Sequence, residues 1–175
     1  MEQVRIIMKK GLSTRDVASG GVMIAVTAAL TLLIRIPIVP TRGYLNFGDA
    51  MIFFSALAFG ARVGGMAGGF GSALADIMGG YAYFAPITLV VKGMEGALCG
   101  YIAKKGNLWM MFWGVASGAV CMVAGYFFAE ALLYGVGPAL IELPMNIIQV
   151  VVGSTVAIPL TIRIRKAYPG LQRTS

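Results

Sequence analysis

Residues 48–80 read GDAMIFFSALAFGARVGGMAGGFGSALADIMGG, and their pattern decides the fold. Asp49 opens an apolar run that ends at Phe59, short for a spanning helix of about 20 residues. Gly60, Ala61 and Arg62 make a tight turn, and a second apolar run extends from Val63 to about Met78. Gly60, Gly64, Gly68 and Ser72 recur every four residues, with Gly65, Gly69 and Ala73 in a parallel row. Such rows let helix backbones approach closely in lipid, so this segment is expected to pack against its neighbours. Two antiparallel helices thus share a cationic turn and carry Asp49 and Asp76 at their opposite ends.

Outward from this pair the chain repeats the pattern. A first span is expected from Val17 to Val39, with Ser13 or Asp16 capping its start and Pro37 and Pro40 ending it. The loop TRGYLNFG leads to Asp49, and a second loop, GGYAYFAP, leads to a fourth span from Ile87 to Ala103. Lys104 to Asn107 turn the chain into a fifth span, Leu108 to Tyr134. Gly135 to Pro138 turn it into a sixth, Ala139 to Ile162. The expectation is an all-α membrane protein of six transmembrane helices. A basic segment, 1–16, precedes the membrane domain, 17–165, and a basic tail, 166–175, follows it.

Composition supports lipid as the solvent. The 175 residues are 58% hydrophobic and 12% charged, with mean hydropathy +0.83. A soluble domain carries about a quarter charged residues. The net charge of +7 would suit nucleic acid, but the cations sit at segment ends instead. Arg5, Lys9, Lys10, Arg15, Arg62, Lys104, Lys105, Arg163, Arg165, Lys166 and Arg173 all fall on one side of a six-span topology. The positive-inside bias makes that side, with both termini, cytoplasmic. The basic start MEQVRIIMKKGLSTRD reads as an amphipathic lead rather than a cleavable signal.

The chemistry excluded is broad. The chain has no histidine, so no Ser–His pair and no His-ligated zinc is expected. It has no GxxxxGK[ST] phosphate loop. Cys99 and Cys121 lack CxxC spacing and read as reduced thiols. No enzyme activity, metal or cofactor is expected.

Ionisable groups inside a membrane are costly, roughly 2.5–3.5 kcal/mol each on insertion scales, and they usually mark a ligand or ion path. Here Asp49, Asp76, Glu130 and Glu142 fall toward the outer ends of their spans, and Lys92 and Glu95 in the outer and middle part of the fourth. Lys92 and Glu95 share one helix face, three residues apart. Glu142, Asn146 and Gln149 step by four and three into one polar stripe. Two readings stand for these groups: a ligand pocket, or ion pairs that tie the bundle. For Asp49 and Asp76 helix capping is a further option. Tyr44 and Phe47 flank Asn46, and Tyr81, Tyr83 and Phe84 crowd the second loop. These rings form an interfacial belt or stack on a flat ligand. Gly21, Ala25 and Ala29 make a small-residue row on the first span that either packs internally or meets a partner.

Several segments resemble the S components of energy-coupling factor (ECF) vitamin transporters. They are NFGD (46–49), FGARVGG (59–65), ALAD (73–76), APITLVVKGMEG (85–96) and ELPMNIIQ (142–149). The resemblance spans about residues 17–165. It implies a prokaryotic plasma-membrane protein that captures a vitamin or precursor from outside. It also implies partners, a transmembrane T component and two cytoplasmic ATPases, and toppling of the S component during transport. By the same resemblance the first loop is a lid carrying Asn46. Lys92, Glu95, Glu142, Asn146 and Gln149 would line the pocket, with Tyr81 and Tyr83 above it. Ala25 and Ala29 would dock the T component. Acids, amides and one lysine favour a neutral or cationic pyrimidine- or pyridine-like ligand over an anionic one, and riboflavin stays open because aromatics and amides suit its ring. The rivals are a stand-alone proton-coupled carrier using Glu95 or Glu142, and a non-transporting assembly subunit.

Overall fold

The computed structural model describes residues 13–168. Arg5, Lys9, Lys10 and Arg173 of the basic flanks lie outside the described residues. Six helical rods follow one another in antiparallel order. These are α1 (Thr14–Leu33), α2 (Gly48–Phe59), α3 (residues 61–79), α4 (Ala85–Ile102), α5 (Leu108–Tyr134) and α6 (Val136–Ala167). Of these, α1, α5 and α6 are each long and apolar enough to cross a membrane.

The start of α1 is a reciprocal cap. The Ser13 hydroxyl accepts from the Asp16 backbone N–H at 3.0 Å, and the Asp16 carboxylate accepts from the Ser13 N–H at 3.3 Å. Both candidate caps therefore act together. The end of α1 differs from the expected Val39. The helix stops at Leu33, and Arg35–Ile38 form strand β1, paired antiparallel with β2 (Gly43–Asn46). The physical reason is local. Pro37 disfavours helical backbone at Ile36 and is tolerated on a two-stranded edge, and the flanking isoleucines favour extended structure. The turn between the strands places Arg42 at φ 54°, a left-handed conformation uncommon outside glycine. A small hairpin therefore replaces the last turns of the expected first span.

Helix α2 explains its own shortness. From Gly48 to Ala58 every residue but Met51 is buried. A helix apolar all round belongs inside a bundle, and α2 packs against α1, α3, α4 and α6. At about 18 Å long it does not need to reach both membrane surfaces. The hairpin covers one end. At the other, Arg165 of α6 donates to the Leu57 carbonyl at 2.6 Å, one of the carbonyls a helix end leaves unpaired.

The glycine rows of α3 are used where its backbone meets others. A Cβ on Gly64 would lie 2.7 Å from both the Ala56 Cα and the Gly96 carbonyl oxygen. One on Gly96 would in turn overlap the Gly64 carbonyl, so α3 and α4 cross in direct backbone contact. Residues Ala67–Gly71 of α3 form a π-turn, which widens the helix locally. Beyond it Ser72 and Asp76 turn toward the bundle's interior. Gly21, by contrast, faces open space.

Gly64→Val is therefore expected to lower stability by at least about 1–3 kcal/mol, because neither backbone can yield. Gly21→Val is expected to leave stability unchanged. Thermal unfolding of the two purified variants in detergent measures the contrast.

Candidate functional site

The hairpin, the α3–α4 loop and the adjoining halves of α4, α5 and α6 converge at one end of the bundle. Lys92 and Glu95 sit on the inner face of α4, both buried. Lys92 Nζ makes an ion pair with Asp49 of α2 and lies 3.2 Å from Glu95 Oε2. Gln149 of α6 donates from Nε2 to the other Asp49 oxygen at 3.0 Å. Asp49 is thus held by two helices besides its own. Its approach to α6 requires Gly153, whose added Cβ would lie 2.8 Å from the Asp49 Cβ.

The hairpin is latched onto this platform at several points. The Asn46 backbone N–H donates to Gln149 Oε1 at 2.9 Å, while the Asn46 side chain accepts from the Gly48 N–H at 2.8 Å. Thr41 donates its hydroxyl to Glu142 Oε2. Tyr44 donates to Asp76 Oδ1 at 2.5 Å. Burial, and then the neighbouring Asp76 carboxylate, push the Tyr44 phenol above its usual range, so it stays a donor. Arg35 donates to the Gly79 carbonyl at 3.1 Å, and Tyr83 donates to the Arg42 carbonyl at 2.7 Å.

Beneath the hairpin lies a polar cavity. Of the expected residues, Asn46, Lys92, Glu142, Asn146 and Gln149 line it. Glu95 does not; it lies behind Lys92. Tyr81 and Tyr83 do not line it either. They form a shallow groove on the outer surface with Pro37 and Arg42, and Tyr81 stacks at 4.6 Å on Tyr44. The aromatic wall comes instead from Tyr44, Phe84 and Tyr126. As closed by the hairpin, the cavity has a volume of about 30 Å³, room for about one water, so a ring-sized molecule enters only when the hairpin or the lining side chains move.

Sequence reading does not single out Thr31, Thr41, Thr88 or Tyr126, and it gives Ser72 only a packing role. For Tyr126 a signal exists: it stands four residues before Glu130, on the same face of an otherwise apolar helix. Its hydroxyl bonds Thr88 at 3.1 Å, and Lys92 Nζ lies 5.7 Å from its ring centre. Glu130 packs beside Glu142 and Asn146. The threonines carry no such signal, because threonine is common in apolar helices and only the packing shows which face is inward. Among the described residues no cluster of metal-ligating side chains occurs. Four buried polar atoms in the cavity wall make no well-formed hydrogen bond: Thr31 Oγ1, Asp76 Oδ2, Glu130 Oε2 and Asn146 Nδ2, although Glu130 lies beside Asn146 and Glu142, and Asp76 beside Thr88. Leaving such groups unpaired is costly, so each calls for a polar partner such as water.

A six-helix membrane bundle that closes a polar cavity under a latched hairpin defines a multi-pass membrane protein of the solute-transport class. Residues 11–166 match the model of the ECF-type riboflavin transporter S component, and the chain belongs to that family. It is 34% identical over 134 residues to the thiamine precursor transporter HmpT of Lactococcus lactis subsp. cremoris (strain MG1363). That match covers 76% of this chain and 77% of the relative. It is 48% identical over 124 residues to an uncharacterized protein of Pyrococcus woesei, 70% of this chain and 83% of that one. The chain is thus a vitamin-type transporter subunit.

Lys92→Met would leave Asp49 and Glu95 buried without a cation, at an expected cost of about 3–5 kcal/mol. Combining it with Asp49→Asn should recover part of that loss. Chemical denaturation of the single and double variants checks this; strictly additive losses would show that the two side chains act independently.

Proposed function

We propose that this chain is the substrate-capturing S component of an ATP-driven ECF importer and that its cavity takes a small amino-substituted pyrimidine- or pyridine-type vitamin precursor. The observation that carries the ligand class is the set of unbonded wall atoms. Asp76 offers an acceptor, Asn146 offers a donor, and Thr31 and the Glu130 carboxyl beside Glu142 serve as either. An aminopyrimidine presents exocyclic N–H donors and ring-nitrogen acceptors that match this set. A flavin ring edge presents mostly acceptors, so riboflavin would have to meet Asp76 and Glu130 with its ribityl hydroxyls instead. The relative named for a thiamine precursor supports the same class. Tyr126 and Phe84 supply flat walls for such a ring.

In this reading the ligand bonds Glu142, Asn146 and Gln149, with Lys92 at its edge and the hairpin carrying Asn46 as the lid. Tyr81 braces Tyr44, and Glu95 holds the charge of Lys92, so both act behind the pocket wall. The lid opens outward, since most cations of the described residues gather at the other end, with Arg35, Arg42 and Lys92 the ones at the hairpin end. Arg15, Arg62, Lys104, Arg163, Arg165 and Lys166 all lie at the end away from the hairpin. Both termini are then cytoplasmic, in a prokaryotic plasma membrane. Energy comes from a T component and two cytoplasmic ATPases. Ala25 and Ala29 are exposed on α1, in line with the exposed Gly21 and Val22, and form the docking face for the T component.

Isothermal titration with a hydroxymethyl-aminopyrimidine is expected to give tight binding at one molecule per chain, with riboflavin much weaker. Glu142→Gln and Asn146→Ala should each weaken it about tenfold or more. Tighter binding of riboflavin would overturn the ligand class. Uptake by this chain alone in proteoliposomes, driven by a pH gradient, would favour the proton-coupled carrier instead. Ala29→Trp should abolish co-purification with the T component and ATPases while leaving ligand binding intact.

A further inference from the structure

A groove runs along the outside of α5 and α6, toward the end of the bundle away from the cavity. Ala116 and Ala119 of α5 form one side; Val151, Ser154, Ile158 and Pro159 of α6 form the other. Its volume is about 490 Å³, and it is open along the outside of the bundle. The groove exists because its facing side chains are small and because Pro159 interrupts the hydrogen-bond ladder of α6.

Its chemistry is that of hydrocarbon. The hydroxyls that reach it are already satisfied: Ser154 donates to the Val151 carbonyl at 2.7 Å, and Thr155 donates to the Val152 carbonyl at 2.8 Å. No polar group in the groove waits for a polar ligand.

The lower mouth has the opposite character. Arg163 and Lys166 stand four and seven residues beyond Pro159, continuing its side of α6, and both are exposed. Arg165 bridges to α5's approach, donating to the Gly106 carbonyl at 2.8 Å, and its Nε has no partner. Lys104, also exposed, lies two residues from that carbonyl. Asp16, the acid of the described residues at this end, pairs with Arg62 at 3.5 Å. Trp109 and Trp113 are 73% and 57% exposed on the first turns of α5, where an aromatic belt marks the membrane interface. An apolar slot of this kind, opening at headgroup level into uncompensated cations, matches a molecule with an acyl chain and an anionic head.

We propose that the α5–α6 groove holds an acyl chain of an anionic glycerophospholipid, with its phosphate bound by Arg163, Lys166 and Lys104. The site is separate from the cavity and independent of what the cavity binds.

The test uses the full chain in nanodiscs of equal phosphatidylglycerol and phosphatidylcholine, followed by gentle extraction and native mass spectrometry. One phosphatidylglycerol per chain should be retained in preference to phosphatidylcholine. The double variant Arg163→Gln, Lys166→Gln should cut that preference about fivefold or more. Because both side chains are exposed, the variant tests the site without threatening the fold. Ala119→Phe, which fills the groove, should displace the lipid while leaving aminopyrimidine binding unchanged. Equal retention of both lipids, or a preference untouched by all three substitutions, would overturn the proposal. So would a mass of two chains without lipid, which would assign the groove to a second copy.

Discussion

One buried lysine sets the terms for the rest of the bundle. Lys92 places a single positive charge between Asp49 and Glu95, all three with side chains at most 3% exposed. A buried charge survives only where paired and hydrogen-bonded, so these partners must arrive together. Asp49 arrives on α2, and Gln149 of α6 closes its second oxygen. That requirement binds the central helix to both flanking walls. The glycines at 64, 68, 96 and 153 follow from it in part, because helices bearing short polar contacts have to meet nearly backbone to backbone.

The same cluster reaches the lid through one side chain. Gln149 donates to Asp49 with its nitrogen and accepts from the hairpin's Asn46 N–H with its oxygen. An amide is the group that can do both at once, since a carboxylate only accepts and an ammonium only donates. The hairpin is thereby registered against the buried charges, and Thr41 and Tyr44 add contacts to Glu142 and Asp76. Several of the lid's partners are cavity-wall acids. A ligand that competes for those acids would act on the lid directly, without a relay through the helices.

Much of the architecture was legible in the chain. The turn at Arg62, the polar turn after Lys104 and the glycine at 135 mark helix ends that the structure places within a few residues. The short second segment was legible as short, but its cause was not. Only packing shows that α2 is the bundle's central rod. The end of α1 was misread because the pattern IRIPIV is apolar enough for a membrane helix, and its pairing with Gly43–Asn46 depends on residues across a turn. The stripe Glu142, Asn146, Gln149 was legible from spacing alone, and all three line the cavity. Tyr81 and Tyr83 were grouped with it by sequence proximity to the outer end, yet they face out of the lid rather than under it.

What the amino-acid sequence determined by itself is the solvent, the number of helices and the end of the bundle to which polar groups belong. These follow from hydropathy, from periodicity and from the placement of cations, all of which are local or additive along the chain. Tertiary structure alone decided which polar groups spend themselves on one another and which remain unpaired toward a ligand. Lys92, Asp49 and Glu95 look alike in sequence to Asp76, Glu130 and Asn146. Lys92 and Asp49 are paired with each other and Glu95 adds a second charge contact without a well-formed hydrogen bond, while Asp76, Glu130 and Asn146 each keep one unbonded atom in the cavity wall. That division depends on distances between helices far apart in the chain, which spacing along one helix does not carry.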